Sequence, residues 1–217
     1  YYTPNTAILT IVGDITLDEA KVLVEKNFGA WKAGEPVKSK TYTVKKPETP
    51  QVTVVNKNGA VQSNITIANV ASLKLGDADY AAVKVLNNIY GSGFSGRLFQ
   101  NLREDKEYTY GAYGGVSSDK LIGEFSSFAK VRNEVTDSAV EQFLYEINLI
   151  RTDNVSSEEL QNAKNYIAGT FAQALESPRT LASFAANIER YNLNKDYFKG
   201  YLKRINEVTA EDVKRVA

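Results

Sequence analysis

Two periodicities divide this chain, and their order narrows its fold more than any other feature. Up to about residue 132, β-branched and aromatic residues alternate with polar ones in short runs: Gln51 to Asn56, Ser63 to Val70, Tyr108 to Val116 and Gly123 to Val131. That is the period of half-buried strands, with turns at Lys57-Asn58-Gly59 and Ser117-Ser118-Asp119-Lys120, and it predicts four strands in the central body. A helix is predicted from Asp77 through Tyr90, and a short one from Phe94 to about Glu104 after the Gly91-Ser92-Gly93 break. From Thr136 onward the period is helical throughout. Val140, Phe143, Leu144, Ile147 and Ile150 form one apolar stripe, Ser156 with Glu159 has capping-box spacing, and later helices are expected near Pro178, Lys195 and Thr209. Strands first and helices afterwards, without βαβ alternation, predict an α+β fold: a largely antiparallel sheet with helices packed on one face.

The first thirty residues repeat the strand and helix signals in miniature. Ala7 to Val12 reads as a buried strand closed by Gly13-Asp14, and Thr16 with Glu19 opens a helix that ends at Gly29. Between Lys32 and Pro50 the sequence is polar and lysine-rich and carries Pro36, Pro47 and Pro50, which a regular element does not tolerate. This stretch is expected to be a linker.

Composition excludes more chemistry than it supports. Lys plus Arg and Asp plus Glu are balanced at 26 each, so the net charge gives no pull toward nucleic acid or an anionic surface. There is no cysteine and no histidine, which removes thiolate and imidazole ligands, cysteine nucleophiles and the usual general base near neutral pH. No apolar run is long enough to span a bilayer. Carboxylates are plentiful, but none stand in a motif that sets two across a substrate, so a self-contained hydrolase is disfavoured.

The stretch richest in chemistry is Gly91 to Gly115. Its glycines are not followed by Gly-Lys-Ser/Thr and lie between helices, not after a strand, so a phosphate loop is a poor reading. Arg103 at a helix end and Tyr110 seven residues on, in the next strand, can approach one site at the sheet edge. A guanidinium fork and a phenol suit the carbonyls of an extended peptide. The spacing alone favours a plainer reading, in which Arg103 pairs with Glu104, Asp105 or Glu107 and Tyr110 packs in the core.

The run Leu102-Arg103-Glu104-Asp105-Lys106-Glu107-Tyr108-Thr109-Tyr110 resembles the Leu-Arg-Glu…Tyr segment of M16 (pitrilysin/insulinase) zinc peptidases, in the half that binds no zinc. Gly91-x-Gly93-x-x-Gly96-Arg97-Leu98, Tyr1-Tyr2-Thr3-Pro4-Asn5 leading to Val12-Gly13-Asp14, Val155-Ser156-x-Glu158-Glu159-Leu160 and Val208-Thr209-Ala210-Glu211-Asp212-Val213 extend the likeness along the whole chain. Gly96 stands where the family usually has Ser before Arg-Leu.

The resemblance implies the M16 fold, of the LuxS-like metallohydrolase type, and a division of labour. Zinc and its His-x-x-Glu-His motif would belong to a partner half, in the same polypeptide or a separate subunit. This half, inactive alone, would contribute Arg103 and Tyr110 as substrate-binding residues for a peptide, with Arg97 structural. The alternative is an assembly module of the same fold without a proteolytic role. The resemblance also implies that residues 1–33 are the tail of a preceding repeat, 34–50 a linker and 51–217 the main domain, stopping short of its last strand. On that reading the N-terminal strand and helix would fill the place of the missing C-terminal pair, within one molecule or by exchange in a homodimer. Likeness to bacterial members points to the cell envelope.

Overall fold

In the computed structural model, which describes residues 2–36, 44 and 47–217, the alternating segments of the central body build one antiparallel sheet. Its strands β1 (Gln62–Ala71), β2 (Thr109–Val116) and β3 (Gly123–Arg132) are ordered β1-β3-β2, leaving β2 with one outer edge. β1 pairs with β3 from Gln62↔Arg132 to Ala71↔Gly123 without interruption. Along β3 the pleat sorts residues by face: Ser127, Ala129 and Val131 are buried, whereas Phe128, Lys130 and Arg132 are exposed.

Helices cover the buried face. α1 (Leu17–Phe28) precedes the sheet; α2 (Tyr80–Gly91) and α4 (Thr136–Thr152) lie on it. Val85, Leu86 and Ile89 of α2 and Ala139, Phe143 and Ile150 of α4 join Ile65, Ala112, Ala129 and Val131 in a single core. The C-terminal end of α2 approaches β2 closely because neither chain has a side chain in the way: a Cβ on Gly91 would lie 2.5 Å from the backbone of Gly114. Nearby, the buried Tyr90 hydroxyl and Ser127 Oγ share a 2.7 Å hydrogen bond. Burial pushes the Tyr90 phenol up to about 12, against the opposing effect of that bond.

Between α2 and β2 the chain makes one turn of helix, α3 (Arg97–Phe99), and then a π-helical turn, Gln100–Asp105, in place of the regular helix expected to Glu104. The amide of Lys106 reaches back five residues to the Asn101 carbonyl, the signature of the wider turn. α5 (Ser157–Ala174), α6 (Pro178–Tyr191), α7 (Tyr201–Glu207) and α8 (Ala210–Val216) follow. Ser156 and Glu159 exchange the predicted cap bonds, and Thr209 with Asp212 makes a capping box that opens α8. α8 is tied to the start of α2 by Arg215 Nη2, which donates to Asp79 Oδ1 at 2.8 Å.

The described residues fall into two compact units, one within 1–42 and 168–200, the other within 43–167 and 201–217; the second holds the sheet. In the first unit, Thr16 and Glu19 form the predicted capping box at α1, and Asn5 bonds both backbone groups of Gly34. Phe184 stacks on Phe198 at 3.9 Å between ring centres and on Phe171 at 5.8 Å.

Several expectations are corrected. Ala7–Val12 forms no strand, and its apolar side chains are exposed, Leu9 at 56%; within the single chain it therefore does not take the place of a missing strand. Gln51–Asn56 is likewise in no strand, so the sheet has three strands among the described residues and not four. Strand propensity needs a partner ladder before it becomes structure. The helix expected from Lys195 starts at Tyr201, and that expected from Asp77 starts at Tyr80. Of the expected linker over residues 34–50, residues 37–43, 45 and 46 lie outside the described residues.

Candidate functional site

The stretch from Gly96 to Tyr113 holds every residue singled out for function, and the fold treats them unequally. Arg97 opens α3 and points its fork at Glu159 near the start of α5, with Nε at 2.8 Å from Oε1 and Nη2 at 3.0 Å from Oε2. This bidentate pair is partly buried and has the planar geometry that guanidinium and carboxylate favour. The Arg97 bond is the main reason the Glu159 carboxyl is held below its ordinary range, assisted by the Ser156 cap. Arg97 is thus a brace between two helices.

Arg103 sits on the π turn and has no such brace. Its Cζ lies 4.7 Å above the Phe99 ring and its Nε is 3.6 Å from Glu104 Oε1, a loose exposed contact. The backbone around it, in contrast, is fastened. The Glu107 amide donates to the Arg103 carbonyl at 3.1 Å, Tyr108 to Leu102 at 2.9 Å, and Arg132 Nη1 of β3 donates to the Glu107 carbonyl at 2.6 Å. Glu107 itself takes a left-handed conformation, φ 55°, which turns the chain into β2.

Tyr110 is aimed outward by a bulge. Thr109 pairs with Val131 and Ala112 with Ala129, so three steps on β2 match two on β3. The Thr109 hydroxyl holds the irregularity, donating to the Lys130 carbonyl at 2.6 Å and accepting from the Gly111 amide at 3.1 Å. Tyr110 is 88% exposed on the edge strand, so the packing of this tyrosine in the core, one of the two sequence readings, does not occur. The other half of that reading does occur, as the Arg103–Glu104 contact.

Arg103 and Tyr110 share no direct bond or ring contact among the described residues. Arg103 instead joins an aromatic row: Phe94 edge-on to Phe99 at 5.0 Å, Phe99 to Tyr113 at 6.1 Å, and Tyr113 to Phe128 at 5.9 Å on the exposed face of the sheet. Arg103 lies over Phe99 within this row, and Tyr110 stands three residues before Tyr113 on the same strand. Sequence reasoning did not assemble the row, because it joins a helix turn to two strands.

It also missed a buried polar pair, Asn101 and Glu146, in which Asn101 Nδ2 donates to Glu146 Oε1 at 2.7 Å. A signal was present: Glu146 falls on the buried period Ala139, Phe143, Glu146, Ile150 of α4, where a carboxylate is out of place. No group of three or more His, Cys, Asp or Glu side chains among the described residues is arranged to hold a metal ion, and no helix among them is long and apolar enough to cross a membrane.

Comparison with solved structures gives first the class of fold. The chain superimposes on a peptidase M16 inactive domain from Pseudomonas fluorescens with TM-score 0.79 and 24% identity, over 94% of this chain and 48% of that one. A protease from Helicobacter pylori matches with TM-score 0.80 and 19% identity, over 94% of this chain and 50% of the other. The family follows from sequence: the profile described as the peptidase M16 inactive domain matches residues 1–167, and the chain belongs to that family. Among relatives, the uncharacterized zinc protease YmxG of Bacillus subtilis is 29% identical over 216 residues, covering all of this chain and 51% of that protein. The chain thus spans about half the length of this relative.

Proposed function

We propose that this domain is the substrate-gripping half of a two-part zinc metallopeptidase, holding an extended peptide while a partner half cuts it. Two observations support the reading: Arg103 is unbraced over an aromatic ring, and Tyr110 is exposed at a bulge on the edge strand β2. An edge strand offers its own amides and carbonyls to a peptide backbone, and the two side chains add a cationic fork and a phenol for its carbonyls. In a closed cleft, those donors stabilise negative charge developing on a carbonyl oxygen better than on the resting peptide.

This chain has neither histidine nor cysteine, and no carboxylate cluster among its described residues fits zinc; the metal and the water-activating base belong, on this reading, to the partner half. The zinc-protease names of the relatives support that assignment. In the same reading, residues 1–33 are the tail of a preceding repeat and 51–217 the gripping domain.

The test is reconstitution. The chain alone should leave a peptide intact, the zinc-bearing half with this chain should cleave it, and Arg103→Ala or Tyr110→Phe should reduce that cleavage without weakening association. If the two halves associate and both variants cleave at the full rate, this domain is an assembly module instead.

A further inference from the structure

Three buried polar atoms have no hydrogen-bond partner among the described residues: Arg97 Nη1, Asn101 Oδ1 and Glu146 Oε2. The three residues are among those lining a surface pocket of about 530 Å³ between the π turn and α4, with the unpartnered atoms themselves closed to solvent. That volume lies within the range of small-molecule sites, about 300–1,000 Å³. Glu146 and Asn101 are 6% and 9% exposed, while Gln100, Asp105, Lys106 and Tyr145 form an exposed rim.

The bonds that are made define what is left over. Asn101 Nδ2 donates both hydrogens, to Glu146 Oε1 at 2.7 Å and to Gln142 Oε1 at 3.2 Å, and this fixes its amide with Oδ1 unengaged. Glu146 forms no ion pair among the described residues, and a buried carboxyl group whose second oxygen is unpartnered calls for a donor. Arg97 commits Nε and Nη2 to Glu159 and keeps Nη1 unengaged.

The remainder is two acceptors, one of them a carboxylate oxygen, beside one cationic donor. A simple anion would face Glu146, and a simple cation would leave Arg97 unmet. A ligand bearing both charges complements all three atoms.

We infer that this pocket binds a small zwitterion, a free α-amino acid or a dipeptide. The ammonium group bonds Glu146 Oε2 and Asn101 Oδ1, and the carboxylate bonds Arg97 Nη1. To admit it, Gln142 gives up the longer of the two bonds to Asn101 and Lys106 swings off the rim. Neither Arg103 nor Tyr110 lines the pocket, so the site stands apart from the proposed peptide grip.

The test is titration calorimetry on the chain alone with L-alanine and L-alanyl-L-alanine, set against N-acetyl-L-alanine, which lacks the ammonium, and L-alaninamide, which lacks the carboxylate. The zwitterions should bind and each blocked analogue should bind at least about tenfold more weakly, as expected where buried polar groups are left unmet. Glu146→Gln should lose binding with its thermal unfolding retained, and Arg103→Ala should bind like the parent. Absence of zwitterion binding to the folded parent, or equal binding of the blocked analogues, would overturn the inference and leave these atoms to internal water. The parent-chain comparison decides the matter even if Glu146→Gln fails to fold.

Discussion

Arg97 and Arg103 lie six residues apart on one short helical segment and are held in opposite ways. Arg97 has 16% of its side chain exposed and is locked in a two-bond fork with Glu159; Arg103 has 39% exposed, one 3.6 Å contact and an aromatic ring beneath it. A side chain whose bonds are all directed inward sustains the fold. One whose backbone is fastened while its charged head stays available is placed to meet something else. The same contrast separates Tyr90, hydrogen-bonded to Ser127 in the core, from Tyr110, carried outward on the edge strand.

The comparison breaks first if the two arginines exchange roles under mutation. Arg103→Ala should lower kcat/KM of the reconstituted peptidase about 100-fold, the size of loss seen when one carbonyl-oxygen donor is removed. Its thermal stability should stay within about 0.5 kcal/mol, as for an exposed substitution. Arg97→Ala should do the reverse and cost about 1–2 kcal/mol in denaturant unfolding, a figure reduced because Glu159 keeps a solvated side. Tyr110→Phe should have a smaller effect on cleavage, about tenfold, since it removes one neutral hydroxyl donor and leaves the bulge intact.

The smallest effects sharpen the contrast through pH. The Glu159 carboxyl is held below its ordinary value of 4.5, so its contribution to stability is full above that value. It is lost as pH falls through the lower folded-state value, and the stability gap between the parent and Arg97→Ala should narrow over that acid range. Tyr90 has the opposite sign. Its phenol is raised from 10.0 to about 12, so its contribution is full below about pH 10 and fades as pH rises through about 12. Tyr90→Phe should remove that alkaline loss from an unfolding-versus-pH series.

What could be read from the sequence was local. The capping boxes at Thr16 and Ser156 and the alternation of β2 and β3 are each set by residues close in the chain, and they stand where they were expected. Ala7–Val12 and Gln51–Asn56 also carry strand-type residues but join no ladder among the described residues, and propensity alone does not reveal that. The π turn was hidden because a five-residue backbone reach leaves nearly the same apolar pattern as a four-residue one.

At the site, the spacing of Arg103 and Tyr110 was legible, as was their chemistry. The outward aim of Tyr110 depends on Thr109 bonding a carbonyl of the neighbouring strand, and the aromatic row depends on Phe99, Tyr113 and Phe128 converging from three elements. Long-range contacts of that kind leave no periodic trace.

The most direct test of the central claim is amide hydrogen exchange on the assembled two-half protein with and without a non-cleavable extended peptide. The account predicts slowed exchange at the amides of β2 between Thr109 and Val116, and loss of that protection in Arg103→Ala. Peptide protection confined to other elements, with β2 exchanging as in the free protein, would contradict it.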